Sequence, residues 1–157
     1  MGEVRAKIRL ENRDDRTLFE AGRIPEQAVR VREIEAVVDT GAVLLLLPQD
    51  LVDFLGLKVI DRVIVQLAND QKIELDLAGA ITLTAAGRSM VTDCLVGPPG
   101  CEALVGQIVL ERLDLIVDAR QRTLTVRPES PFHPTLKLKR LVGAAGERRE
   151  ALDLQDA

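Results

Sequence analysis

The sequence predicts an all-β fold carrying one or two short helices, and three observations lead there. Apolar and polar residues alternate with period two through most of the first two-thirds of the chain. Turn-forming residues interrupt that alternation at hairpin spacing, and a non-alternating apolar run, VLLLL at 43–47, follows one strand directly.

Composition narrows the class. A chain of 157 residues suits one domain, and 46% hydrophobic with 29% charged residues reads as globular. Aromatic residues are only 2%, with no Trp or Tyr, so the core must be aliphatic and a stacking surface for single-stranded nucleic acid is not expected. The formal net charge is −4 with Lys and Arg scattered among acids, which argues against any nucleic-acid partner. The N-terminal stretch has no apolar signal-peptide core, its Met1-Gly2 start lacks the hydroxyl residue that myristoylation requires at position six, and no window is long enough to span a bilayer. The expectation is a cytoplasmic protein with no membrane partner.

The elements follow in order. Val4, Ala6, Ile8 and Leu10 alternate with Arg5, Lys7 and Arg9, a strand with one wet face. ENRDDR at 11–16 reads as a polar turn, and the sequence around Pro25 separates this strand from a second one that climbs from Val29 through REIEAVVD to Asp39. VLLLL is expected to be buried on both faces, with Pro48 ending it. PQDLVDFLGL has Pro at its start, Asp in its first turn, Leu51, Val52 and Leu55 at helical spacing and Gly56 at its end, which makes a short helix. VIVQLANDQKIEL is a hairpin turning at Ala68-Asn69-Asp70-Gln71, and AGAITLTAAGRSMVTDCLVG is another turning near Ala86-Gly87-Arg88. After a Pro98-Pro99-Gly100 loop, ALVGQIVLERLDLIVD gives a strand, a glycine, a helix over Val109–Leu113 and a strand over Leu115–Val117, and QRTLTV closes the domain. The domain is thus placed at 1–127, followed at 128–157 by a Pro-rich linker and a charged tail that reads as a loose helix or disorder. One faint internal echo, a strand into EAVVDTGA and a strand into EALVGQIV, each followed by a helix, spaces Gly41 and Gly106 by 65 residues. Cys94 and Cys101 read as reduced thiols, and His133 as a solvated linker residue; with so few ligands no metal is expected.

VVDTGAV, at 37–43, is the one stretch that does not fit a purely structural reading. An unpaired carboxylate is costly at the end of a strand entering a core, so Asp39 either caps a turn or does chemistry. If chemistry, one carboxylate cannot be acid and base at once, and no second Asp stands in an equivalent context. A two-fold homodimer supplies the second copy, and two carboxylates about 3 Å apart share one proton because both cannot ionise. Gly41 then lets backbone approach the carboxylates, the Thr40 hydroxyl bonds across the dimer, Val37 and Val38 keep the site dry, and Ala42 leaves room for substrate.

VVDTGA, together with the later ALVGQIVLERLDLIVD, resembles the retropepsin-type aspartic proteases, in particular their small single-domain bacterial relatives, over about residues 3–127. The resemblance implies that Asp39 is the catalytic carboxylate with Thr40 and Gly41 completing its loop, and that Leu104, Val105 and Gly106 form the supporting strand. It further implies a flap at about 63–75, whose Leu67, Ala68, Asn69 and Asp70 join Ala42 in contacting a peptide or protein substrate. It also implies a retropepsin-like closed β-barrel with a dimeric active site, and no metal or organic cofactor. The chain departs from the pattern twice. Gln107-Ile108-Val109 stands where many relatives place Asp, Asn or Arg, and the QLANDQKI flap has no glycine. These departures keep open a second reading, a dimeric protein-binding module without turnover, while the Pro-rich junction near 128–136 suggests a third, a protease that processes its own tail.

Overall fold

The computed structural model describes residues 3–143, so the expectation for the tail falls, for residues 144–157, outside the described residues. Strands predominate over helices, 45% to 18%, and the fold is mostly β. The strands are β1 (Val4–Asn12), β2 (Val31–Val38), β3 (Leu46–Pro48), β4 (Lys58–Gln66), β5 (Lys72–Ala85), β6 (Arg88–Gly97), β7 (Leu104–Val105), β8 (Leu115–Asp118) and β9 (Thr123–Val126). The helices are α1 (Arg13–Glu20), α2 (Gln49–Leu55) and α3 (Gln107–Leu113), with a 3-10 turn at Glu26–Ala28 after Pro25.

Six strands pair in a ring, β1-β2-β7-β3-β6-β5 and back to β1, while β8 and β9 form a separate hairpin. The ring depends on the length of β5. One edge of that strand takes β4 along its first half, Lys72 to Gly79, and β1 along its second, Ile81 to Thr84; its other edge takes β6. The two expected hairpins therefore share a single 14-residue strand. Their turns fall where the sequence puts them, with Ala86 and Gly87 both at positive φ, 50° and 77°, the backbone that a two-residue hairpin turn requires.

The core is aliphatic as expected. Ile8, Leu10, Leu45, Leu47, Leu55, Ile81, Leu83, Val105, Val109 and Leu113 are all essentially inaccessible. VLLLL is the exception to its expectation, because only Leu45 and Leu47 are buried whereas Val43 is 65% exposed, and the strand proper is three residues long. The run is apolar for two reasons: part of it enters the core, and part emerges beside the Asp39 loop.

The larger correction concerns ENRDDR. Glu11 and Asn12 end β1 and the rest opens α1, so the described residues hold three α-helices rather than one or two. Asn12 caps α1, its Oδ1 accepting from Asp15 N–H at 2.9 Å while its Nδ2 donates to the Leu55 carbonyl at 2.8 Å. Asp15 receives the Arg30 guanidinium through Nε at 2.8 Å and Nη2 at 2.9 Å, and Glu11 is held by Arg9 and Arg16. Glu11, Asn12 and Asp15 are buried, so the segment is a polar junction tying α1 to the start of β2 and the end of α2.

Candidate active site

The Asp39 loop is built where two parallel strands end. β2 runs beside β7, Val37 opposite Leu104 and Val38 opposite Val105, and the Asp39 N–H donates to the Val105 carbonyl at 3.0 Å. The chain then turns sharply. Gly41 N–H donates to Asp39 Oδ1 at 2.9 Å and Ala42 N–H to the Asp39 carbonyl at 3.1 Å, an Asx turn of the kind short acidic side chains make. From above, the first turn of α3 takes hold of it: Gln107 N–H donates to the Ala42 carbonyl at 2.7 Å and Ile108 N–H to the Val43 carbonyl at 3.0 Å.

Gly106 makes this crossing possible. A Cβ there would lie 2.7 Å from the Ala42 oxygen and 2.8 Å from the Leu44 oxygen, closer than a carbon can approach backbone. Gly106 φ is −101°, so the requirement is space rather than backbone freedom. The echo between Gly41 and Gly106 thus has a spatial counterpart in two segments that end side by side and hydrogen-bond to each other.

Within this loop Asp39 is half-buried, and among the described residues Gly41 N–H is the only donor to its carboxylate. Thr40 and Gly41 are exposed, and no described residue hydrogen-bonds the Thr40 hydroxyl. Thr40 lines a cleft of about 1100 Å³ together with residues of α3 and β8 and with Thr135, Leu136 and Lys137. Ala42 is half-buried next to the α3 contact. Gln107 spends its side chain locally, Nε2 donating to Glu111 Oε1 at 3.2 Å.

Leu67, Ala68, Asn69 and Asp70 form the tip of the β4–β5 hairpin, and the tip closes on itself. Leu67 N–H donates to the Gln71 carbonyl at 2.8 Å, Asp70 N–H to the Leu67 carbonyl at 2.9 Å, and Gln71 N–H to Asn69 Oδ1 at 3.0 Å. Asp70 has φ 65°, taking the left-handed position that a flap glycine would otherwise fill. No hydrogen bond among the described residues joins this tip to residues 39–42.

A second polar cluster escaped the sequence reading. Asp114, which caps α3 at φ 53°, accepts from Ser130 Oγ, from Thr135 N–H at 3.0 Å and from Arg127 Nε at 2.9 Å. The Ser130 hydroxyl, the Thr135 N–H and the Arg127 guanidinium together lower its carboxyl to about 2. Buried Arg88 donates to the Leu113 and Asp114 carbonyls at 2.9 and 3.2 Å and also to the Ser130 carbonyl. The Pro-rich stretch is therefore pinned at Ser130 and Thr135, with Phe132 between them in solvent. No signal in the sequence pointed to this cluster, because Arg88 sits in a hairpin turn and Ser130 in an ordinary Pro-rich run.

Cys94 and Cys101 are both free thiols. Among the described residues no group of three or more His, Cys, Asp or Glu could hold a metal ion, and no helix is long and apolar enough to cross a membrane. No protein-family model matches the chain, and no curated protein matches it.

Proposed function

We propose that the chain is a retropepsin-like aspartic endopeptidase of the cytoplasm, its ring of strands a version of that closed barrel, working as a homodimer in which Asp39 of each copy meets at the two-fold axis. The observation that supports this most is the suspended acidic loop, a half-buried Asp39 with one internal donor, flanked by an exposed Thr40 and crossed behind by a glycine whose place a Cβ would crowd. In the reaction, the ionised carboxylate takes a proton from a water whose oxygen attacks the scissile carbonyl carbon. The protonated partner carboxyl gives its proton to the carbonyl oxygen, and collapse of the resulting diol breaks the C–N bond as the amine takes up a proton. No covalent enzyme intermediate forms, and no metal or organic cofactor takes part.

Asp39→Asn should reduce hydrolysis of casein or a peptide library by about 10²–10⁴-fold, the usual worth of positioned acid–base catalysis. The wild type should bind pepstatin and work best in acid, where one proton is shared. Equal inertness of the two proteins, both still dimeric, would instead favour a binding module on the same fold. Gln107, tied to Glu111 and facing no carboxylate of the Asp39 loop, is the observation that favours that alternative.

A further inference from the structure

We propose that residues 135–142 are a built-in strap that competes with the second copy of the chain for the face beside Thr40, so that the latch at Asp114 sets how readily the dimer forms. This rests on the dimeric reading above. Thr40 is the loop residue that a partner must reach, and the cleft it borders is walled by Thr135, Leu136 and Lys137 of the same chain. A partner loop that reaches Thr40 thus enters a cleft that the strap also lines.

Among the described residues, the strap's hydrogen bonds to the body gather at its start. Asp114 and Arg88 hold Ser130 and Thr135 through the bonds described above, whereas the residues beyond are little covered: Leu136 is 54% exposed and Leu138 73%, with Leu141 and Val142 also in solvent. Lys137, Lys139 and Arg140 alternate with these apolar residues and form no ion pair among the described residues. Apolar burial thus contributes little to holding the segment down, and closure depends on the polar latch. A device held this way opens when the latch is lost, without disturbing the core.

The test uses the full chain. Asp114→Ala removes the acceptor of the Ser130, Thr135 and Arg127 bonds while leaving Arg88 on the Ser130 carbonyl, and Thr135→Pro removes one donor at a surface position, leaving the rest of the cluster in place. Sedimentation equilibrium should show dimer dissociation constants lowered about tenfold for Asp114→Ala and by less for Thr135→Pro, the scale of losing hydrogen bonds to a charged group. If Asp114→Ala does not fold, Thr135→Pro alone decides. Unchanged or weaker dimerisation in a folded variant overturns the strap, and weaker dimerisation would make the segment part of the interface. Hydrolysis measured on the same samples separates the two proposals. Tighter dimers that hydrolyse nothing, with or without the Asp39→Asn substitution, leave the strap standing and remove the protease.

Discussion

Asp39, Thr40 and Gly41 stand out as candidates in the sequence because their signal is local: an acid between a β-branched pair and a glycine is anomalous within seven residues. Gly106 was readable as a motif, but its reason was not, since the oxygens it avoids belong to residues more than sixty positions earlier. That reason makes a prediction. Gly106→Ala should cost about 1–3 kcal/mol of stability, the usual range for forcing extra volume into a packed place, measured by urea unfolding. It should also displace the 39–43 loop, so hydrolysis should fall more than stability does. A Gly106→Ala protein with wild-type stability would mean that the loop and α3 are not this close. Cys94 allows a simpler check. Burial, with Asp93 adding to it, pushes this thiol up to about 12. In the folded protein at neutral pH it should resist iodoacetamide, with any modification found first at the less buried Cys101, and mass spectrometry of the alkylated chain reads this directly.

At the scale of elements, the strands and the helices α2 and α3 were legible because period-two alternation, helical spacing and Gly or Asn-Asp turn chemistry are written in adjacent residues. α1 was not. ENRDDR looks like a turn because its charges have no visible partners, and the partners arrive from Arg30 and from the Leu55 carbonyl, elements remote in sequence. The same blindness hid the latch, in which Arg88, Asp114 and Ser130 come from three segments. Asn12 is the residue on which α1 turns, serving as its cap and as a donor to the end of α2. Asn12→Ala should lower stability by about 1–2 kcal/mol, at the upper end for a cap because the Leu55 carbonyl loses its donor as well. Asn12→Asp keeps the acceptor and should restore only the capping share. If the two substitutions prove equally costly in chemical denaturation, the bond to Leu55 rather than the cap carries the weight.

For the whole molecule, the buried carboxylates Glu11, Asp15 and Asp114, each held by arginine, determine how it meets acid. In Asp15, hydrogen bonding from Arg30 lowers the carboxyl although burial opposes it; in Glu11, burial raises it but bonds from Arg16 and Arg9 prevail, and the net shift is again downward. Asp114 goes furthest, to about 2 from an ordinary 3.8. Each group binds its proton more readily in the unfolded chain than in the folded one, so each contributes stability above its unfolded pKa and loses it as pH falls towards the folded value. The thermal midpoint should therefore hold nearly level from neutral pH to about 5 and fall as pH drops through about 4 towards 2. Asp114→Asn should flatten the lower part of that fall. This profile suits the proposed chemistry, because a shared proton between two Asp39 groups favours work in moderate acid, where these ion pairs are still intact. A midpoint that declined steadily from pH 7 to 5 would show that other groups govern the fold, and a dimer of this chain would then come apart in the range where its carboxylate pair is meant to act.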